Sequence, residues 1–167
     1  MCTDYRALNM VTIKSRYPIP RANELIDQLR KARFFSKIDL RGGYNQIHVI
    51  VADCHETAFC TRYGSFEYVI MPFGLTNALA TFQMTMNQIF SSLVDKCVIV
   101  YLDDILIYSE TREQQLKGLG AFFTLLQVHR LLAKGSKCEF LQDYLEFLIH
   151  VISTKGVEVD PRKIEIV

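Results

Sequence analysis

Residues 97–108, CVIVYLDDILIY, place two adjacent carboxylates, Asp103 and Asp104, inside a run that is otherwise almost wholly apolar and rich in β-branched residues. Such a run reads as strand, with the acidic pair at a hairpin turn. Neighbouring carboxylates repel, and an ionised carboxylate taken out of water without a partner costs several kcal/mol even after relaxation. Two arrangements relieve this. Either both side chains sit in water at the turn, where aspartate is a favoured residue, or a divalent cation lies between them. Other residues must discriminate.

At 167 residues, half of them hydrophobic, the chain is long enough for one domain with a sizeable core, which excludes a disordered tail. The best apolar stretch is broken by the two aspartates, and the N-terminus MCTDYRALN has no apolar signal core. The expectation is a protein that is not secreted and makes no membrane contact. The five cysteines are scattered without a CxxC pair, which argues against a disulfide framework and against a zinc site. Net charge is only +1, but residues 1–62 carry ten Lys/Arg against six Asp/Glu, while 63–112 carry two against five. A basic part that can meet phosphates thus precedes an acidic centre that can hold metal.

Periodicity predicts a helix over 22–32 with Leu25, Ile26 and Leu29 on one face. Residues 34–40 and the alternating 44–51 read as strands joined at Gly42-Gly43, and 57–71 as a second pair turning at Gly64-Ser65. A helix capped near Thr76 or Asn77 should run to about Leu93 with Phe82, Met86, Ile89 and Phe90 inward. After the Asp-Asp hairpin, a helix from about Arg112 to Leu132 should bury Leu116, Leu119, Phe123 and Leu126. Strands at 138–141, 145–153 and 156–159 close the chain. Antiparallel strands with helices on one face make an α+β layer fold without an internal domain boundary.

Asp39 is the only acid in FFSKIDL and ends that strand at a glycine turn. Alone it is an ordinary strand-end aspartate. Together with the Asp-Asp hairpin it completes the set that two-metal phosphoryl transfer needs, in which hard oxygen ligands hold two cations that clamp attacking and leaving oxygens.

The ordered motifs FSKIDLRGGYNQI, TAFCTRYGSFEYVIMPFGLTNA, TFQ, YLDDILIYS, SKCEF and VDPRKIE resemble the reverse transcriptase of long-terminal-repeat retrotransposons of the Ty3/gypsy type, relatives of retroviral polymerases. The resemblance covers essentially the whole chain. It implies the fingers and palm of a right-hand polymerase, interleaved over residues 1–167, with thumb, RNase H and integrase as separate parts of a Pol polyprotein. It implies an RNA-directed DNA polymerase acting on an RNA or DNA template with primer and on deoxynucleoside triphosphates. Its place would be the cytoplasm or a virus-like particle.

By the same resemblance Asp39, Asp103 and Asp104 are catalytic carboxylates holding two Mg²⁺, for which Mn²⁺ can substitute. Tyr44 is the aromatic floor under the sugar that excludes a 2′-hydroxyl. Phe73 and Gly74 line the incoming nucleotide, and Gln83 is a template-side polar residue that spacing alone puts on an exposed helical face. Tyr101 packs against the primer-template minor groove. Lys137, with Lys134 as a basic neighbour, protonates the leaving pyrophosphate, and Asp4 and Arg6 form a structural ion pair. Departures from the family pattern are Leu79 for a proline, Ile149 for a glycine and Glu56 for a lysine. They leave room for a second reading, a degenerate fragment that folds or binds nucleic acid without polymerising.

Overall fold

The computed structural model describes residues 3–148, 150–154 and 156–159. Its first half holds α1 (Arg6–Val11), α2 (Ala22–Asp27), β1 (Phe34–Asp39), β2 (Phe59–Thr61), β3 (Gly64–Phe66) and α3 (Ala78–Ile89). The second half holds β4 (Val98–Tyr101), β5 (Asp104–Ser109), α4 (Arg112–Val128), β6 (Glu139–Gln142), β7 (Tyr144–Phe147), β8 (His150–Ser153) and β9 (Gly156–Val159). The centre is a four-stranded antiparallel sheet in the order β4-β5-β1-β6, flanked by the β2-β3 hairpin and a three-stranded β7-β8-β9 meander.

The apolar run at 97–108 has no polar stripe because both faces of β4 and β5 are covered. Ile38, Val98, Val100, Ile105 and Ile107 pack with Phe82, Met86 and Phe90 of α3 and Leu119, Phe122 and Leu126 of α4. The Phe90 and Phe122 rings stack at 4.5 Å inside this core. The alternate residues Phe35, Ile99, Leu106 and Tyr108 pack on the other face with Leu25, Leu29, Leu145, Phe147 and Ile152. The two long helices therefore lie on one face, as the α+β layer requires, while α2 and the meander close the other.

Three local expectations are corrected. Gly42-Gly43 is no hairpin: Gly42 takes φ 60 and the chain enters a 3-10 turn over Gly43–Gln46. A Cβ at Gly43 would stand 3.1 Å from the Phe82 ring, so glycine there lets this turn lie against α3. The alternating 44–51 segment consequently never returns along β1. Its middle pairs with 69–71 instead, through Val49 N–H to Val69 O and Met71 N–H to Ile47 O, and residues Val51–Thr57 coil into a 3-10 helix.

On α4 the inward stripe is rotated from the expected one. Leu116 and Phe123 are exposed, and Gln115, Gly118, Leu119, Phe122 and Leu126 face in. A capping box between Thr111 and Gln114 fixes the helix start. Gln115 then donates to Ser36 Oγ and Ile107 O, and Gly118 faces Ile107 and Cys97 at distances that leave room for a methyl group but not for a larger side chain. The expected strand 145–153 is two strands, since Leu148 takes φ 49 and Phe147 registers against His150. Ile149 and most of VDPRKIE lie outside the described residues. Leu79 is exposed in the first turn of α3, which starts at Ala78 without the proline. Among the described residues no helix is long and apolar enough to cross a membrane.

Candidate active site

Asp39 ends β1 directly opposite Asp104 at the start of β5, and Tyr101 faces Asp104 from β4. Cross-strand partners project to the same side. Because Ile38 and Ile105 belong to the helix-side core, Asp39 and Asp104 point to the other face, at the open end of the sheet. Asp103 occupies the two-residue turn between β4 and β5, next to Leu102, whose φ of 53 lies in the left-handed region that costs a non-glycine residue energy.

Two lysines answer the acidic cluster. Lys37 Nζ stands 3.1 Å from Asp104 Oδ1, and Lys137 Nζ 3.4 Å from Asp39 Oδ2. Lys137 arrives there because Leu40 bridges Ala133 and Lys134 N–H donates to Asp39 O, which brings the 3-10 turn Gly135–Lys137 beside the strand end. Of the two candidate lysines, Lys137 makes the contact with the carboxylate. Lys37 is absent from the family-derived set, although period two from Asp39 places it on the same face.

Tyr44, delivered by the 3-10 turn, is 4% exposed and donates its hydroxyl to Asp103 Oδ1 at 3.0 Å. Its ring lies 4.7 Å from that of Phe82 and 4.9 Å from that of Phe73. Burial, and next the hydrogen bond to Asp103, push this hydroxyl well above the ordinary tyrosine value. Phe73 is exposed and lies tilted at 59° over the buried Tyr44 ring, so the aromatic surface open to solvent here is that of Phe73. Gly74 takes φ 100, and its carbonyl accepts from Asn9 Nδ2. Asp4 and Arg6 form the expected ion pair on the exposed surface.

Gln83 is the site residue that the structure moves. Far from being an exposed helical glutamine, it is fully buried, and its amide is spent on the β4–β5 hairpin: Oε1 accepts Leu102 N–H at 2.8 Å, and Nε2 donates to Val100 O at 2.9 Å. A position fully enclosed by protein does not touch a template. Its spacing to Met86 and Phe90, three and seven residues on, was the available signal for the inward stripe.

The three carboxylates suit a hard divalent cation in chemistry, all oxygen and none soft. Asp39 and Asp104 are brought face to face and Asp103 is seated beside them. Among the described residues, however, no three His, Cys, Asp or Glu side chains already stand together as a metal-holding group. Each of the three carboxylates is instead held by a neighbour: Lys137, Tyr44 and Lys37 in turn.

The profile of the family described as reverse transcriptase (RNA-dependent DNA polymerase) matches residues 1–152. The chain is 43% identical over 162 residues to a retrovirus-related Pol polyprotein from transposon 297 of Drosophila melanogaster, covering 97% of this chain and 15% of that protein. It is 54% identical over 122 residues to an RNA-directed DNA polymerase homolog of Oenothera berteroana, covering 71% of this chain and 86% of the homolog. In fold it is similar to a foamy viral protease-reverse transcriptase in complex with double-stranded DNA, with a TM-score of 0.90 at 24% identity over all of this chain and 30% of that one. The same viral enzyme in complex with an RNA/DNA hybrid matches with a TM-score of 0.84 at 23% identity, over 95% of this chain and 21% of that one. Reverse transcriptases as a family use divalent metal ions. With the fold, the paired aspartates and these relatives in agreement, the chain belongs to the reverse transcriptase family of retrotransposon Pol polyproteins.

Proposed function

We propose that this chain carries the nucleotidyl-transfer site of an RNA-directed DNA polymerase, which extends a primer 3′-hydroxyl with deoxynucleoside triphosphates on an RNA or DNA template. The observation that carries this reading is the register of Asp39 against Asp104 beside the turn that holds Asp103. Asp39, Asp103 and Asp104 would hold two Mg²⁺, or Mn²⁺ in their place. When bound, the metal supplies the positive charge that an in-line displacement at the α-phosphate develops against.

The protein groups do the rest. The exposed Phe73 ring, tilted 59° against the buried Tyr44, lines an aromatic corner in which a deoxyribose can rest and where a 2′-hydroxyl clashes with Tyr44. The turn at Gly74 lets backbone approach the triphosphate. Lys137 can give a proton to the departing pyrophosphate, having released Asp39 to the metal. Tyr101 stands on the same sheet face as Asp104 and supports the duplex minor groove. Contacts with nucleic acid run mainly to backbone, since a polymerase accepts every sequence. Thumb, RNase H and integrase are the partners expected within a Pol polyprotein, in the cytoplasm or a virus-like particle.

The test is a chimaera in which these residues replace the matching segment of the transposon 297 polyprotein, assayed by primer extension on poly(rA) with Mg²⁺ or Mn²⁺. Extension is expected, and Asp103→Asn should reduce it by roughly a thousandfold or more while thermal unfolding is little changed. Undiminished extension by Asp103→Asn would refute the metal role. A well-folded chimaera that never extends, beside an active parent, would refute the polymerase reading.

A further inference from the structure

Gln83 sits in the middle of α3, fully buried, with both amide hydrogens and its oxygen engaged. Its oxygen accepts from Leu102 N–H, and its nitrogen donates to Val100 O and to Asn87 Oδ1 at 3.0 Å. Asn87 in turn donates to the hydroxyl of Tyr17 at 3.0 Å, so the rotamer of the glutamine is fixed from behind by a residue of the N-terminal segment. One amide therefore grips the backbone on both sides of Tyr101. Its hold on Leu102 falls where the chain takes a left-handed φ of 53, which costs a leucine energy. The next residue is Asp103.

Resting on the polymerase reading for its functional meaning, we propose that Gln83 is a positioning residue that clamps the Leu102–Asp103 turn and so sets the place of the Asp103 carboxylate beneath Tyr44. Without the clamp, the Leu102 amide loses its acceptor and the turn is free to relax toward an unstrained backbone. Asp103 then swings relative to Asp39 and Asp104. The role differs from ordinary core filling, because an apolar side chain of the same size fills the space and leaves the turn unheld.

The experiment compares the natural chain with Gln83→Met, which keeps volume and removes the amide, and with Gln83→Glu, which keeps an oxygen toward Leu102. Amide hydrogen exchange at Leu102 is followed residue by residue by NMR, and Mn²⁺ affinity is followed by calorimetry. Leu102 should exchange roughly tenfold or more faster in Gln83→Met, with amides of β1 and α4 unchanged. Mn²⁺ affinity should fall about tenfold, the size of effect expected from a group that orients a ligand. Gln83→Glu should recover much of the Leu102 protection. Asn87→Ala, which only loosens the clamp from behind, gives the same pattern at smaller size and serves if Gln83→Met does not fold.

Leu102 exchange that is unaltered in Gln83→Met, or accelerated equally across all core amides, would overturn the clamp. Mn²⁺ binding that is the same in Asp103→Asn as in the natural chain would refute the metal reading instead, and Leu102 exchange would still decide the clamp.

Discussion

Tyr44 carries two separable functions, a hydroxyl given to Asp103 and a ring pressed between Phe73 and Phe82, and two substitutions pull them apart. Tyr44→Phe deletes one hydrogen bond from a buried tyrosine to an exposed carboxylate, which should cost at most about 1 kcal/mol of stability. Tyr44→Val also removes two aromatic contacts worth roughly 0.5–1.5 kcal/mol each and leaves a cavity over Phe82. Its total should reach about 2–4 kcal/mol, near the lower range for truncating a buried aromatic residue. Urea unfolding measures both. In primer extension by the chimaera, Tyr44→Phe should still reject ribonucleotides, because the ring remains, whereas Tyr44→Val should accept them. Equal ribonucleotide use by the two variants, or unchanged rejection by Tyr44→Val, would refute the gate.

The same hydroxyl sets a pH dependence. Its proton is held more tightly in the folded state than in the unfolded chain, which releases it near pH 10. The associated stability is thus complete below about pH 10 and is lost as pH rises toward the folded-state value. Tyr5 and Tyr108, also raised by burial, contribute in the same direction, so Tyr44→Phe should flatten only part of the alkaline decline in urea midpoint.

Lys37→Met should tighten Mn²⁺ binding by several-fold, because it removes the cation that competes for Asp104, while costing at most about 1 kcal/mol of stability for a partly exposed pair. Weaker Mn²⁺ binding in calorimetry would show that Lys37 orders the ligand rather than competing for it. At Gly118 an added Cβ would stand 3.5 Å from Ile107 and 3.6 Å from Cys97, ordinary contact distances. Gly118→Ala should therefore stabilise by about 0.5–1 kcal/mol through helix propensity, whereas Gly118→Leu should destabilise by roughly 1–3 kcal/mol through overpacking, both read from thermal unfolding.

The β4–β5 hairpin and the strand-end position of Asp39 were legible in the sequence because they rest on local signals, a β-branched run, an acidic turn and a lone acid before a glycine turn, whereas the convergence of the three acids was inferred from their chemistry and the family resemblance, with no local signal for the register of Asp39 against Asp104. The α3 stripe was legible for the same reason, its period being set by large apolar residues. Misreading began where a backbone feature with no side-chain signature took over. The alternation at 44–51 describes a strand well, but a glycine at φ 60 and another lying against Phe82 redirect the chain before that strand can pair with β1. On α4, Leu116 and Phe123 look like core residues, yet the buried Gln115, bonded to Ser36 and Ile107, turns the neighbouring face inward. Gln83 was put on the wrong face and Lys37 escaped notice because their meaning lies in the residues they hold, which spacing along one element does not reveal.

Every strand contact of β1 is made with chain far away: Asp39 registers against Asp104, and Phe35 against Gln142. The β4–β5 hairpin can close early, since it needs only a two-residue loop, but bringing β1 beside it requires closing a loop of more than sixty residues. Asp103 and Asp104 are thus assembled by local chain folding and Asp39 by the slowest topological step. A folding intermediate that keeps the hairpin and loses β1 would retain two of the three acids on a native-like turn and have no site at all. Competence for chemistry is therefore tied to completion of the whole sheet, and a half-made chain emerging during synthesis stays chemically silent until β1 has found its place.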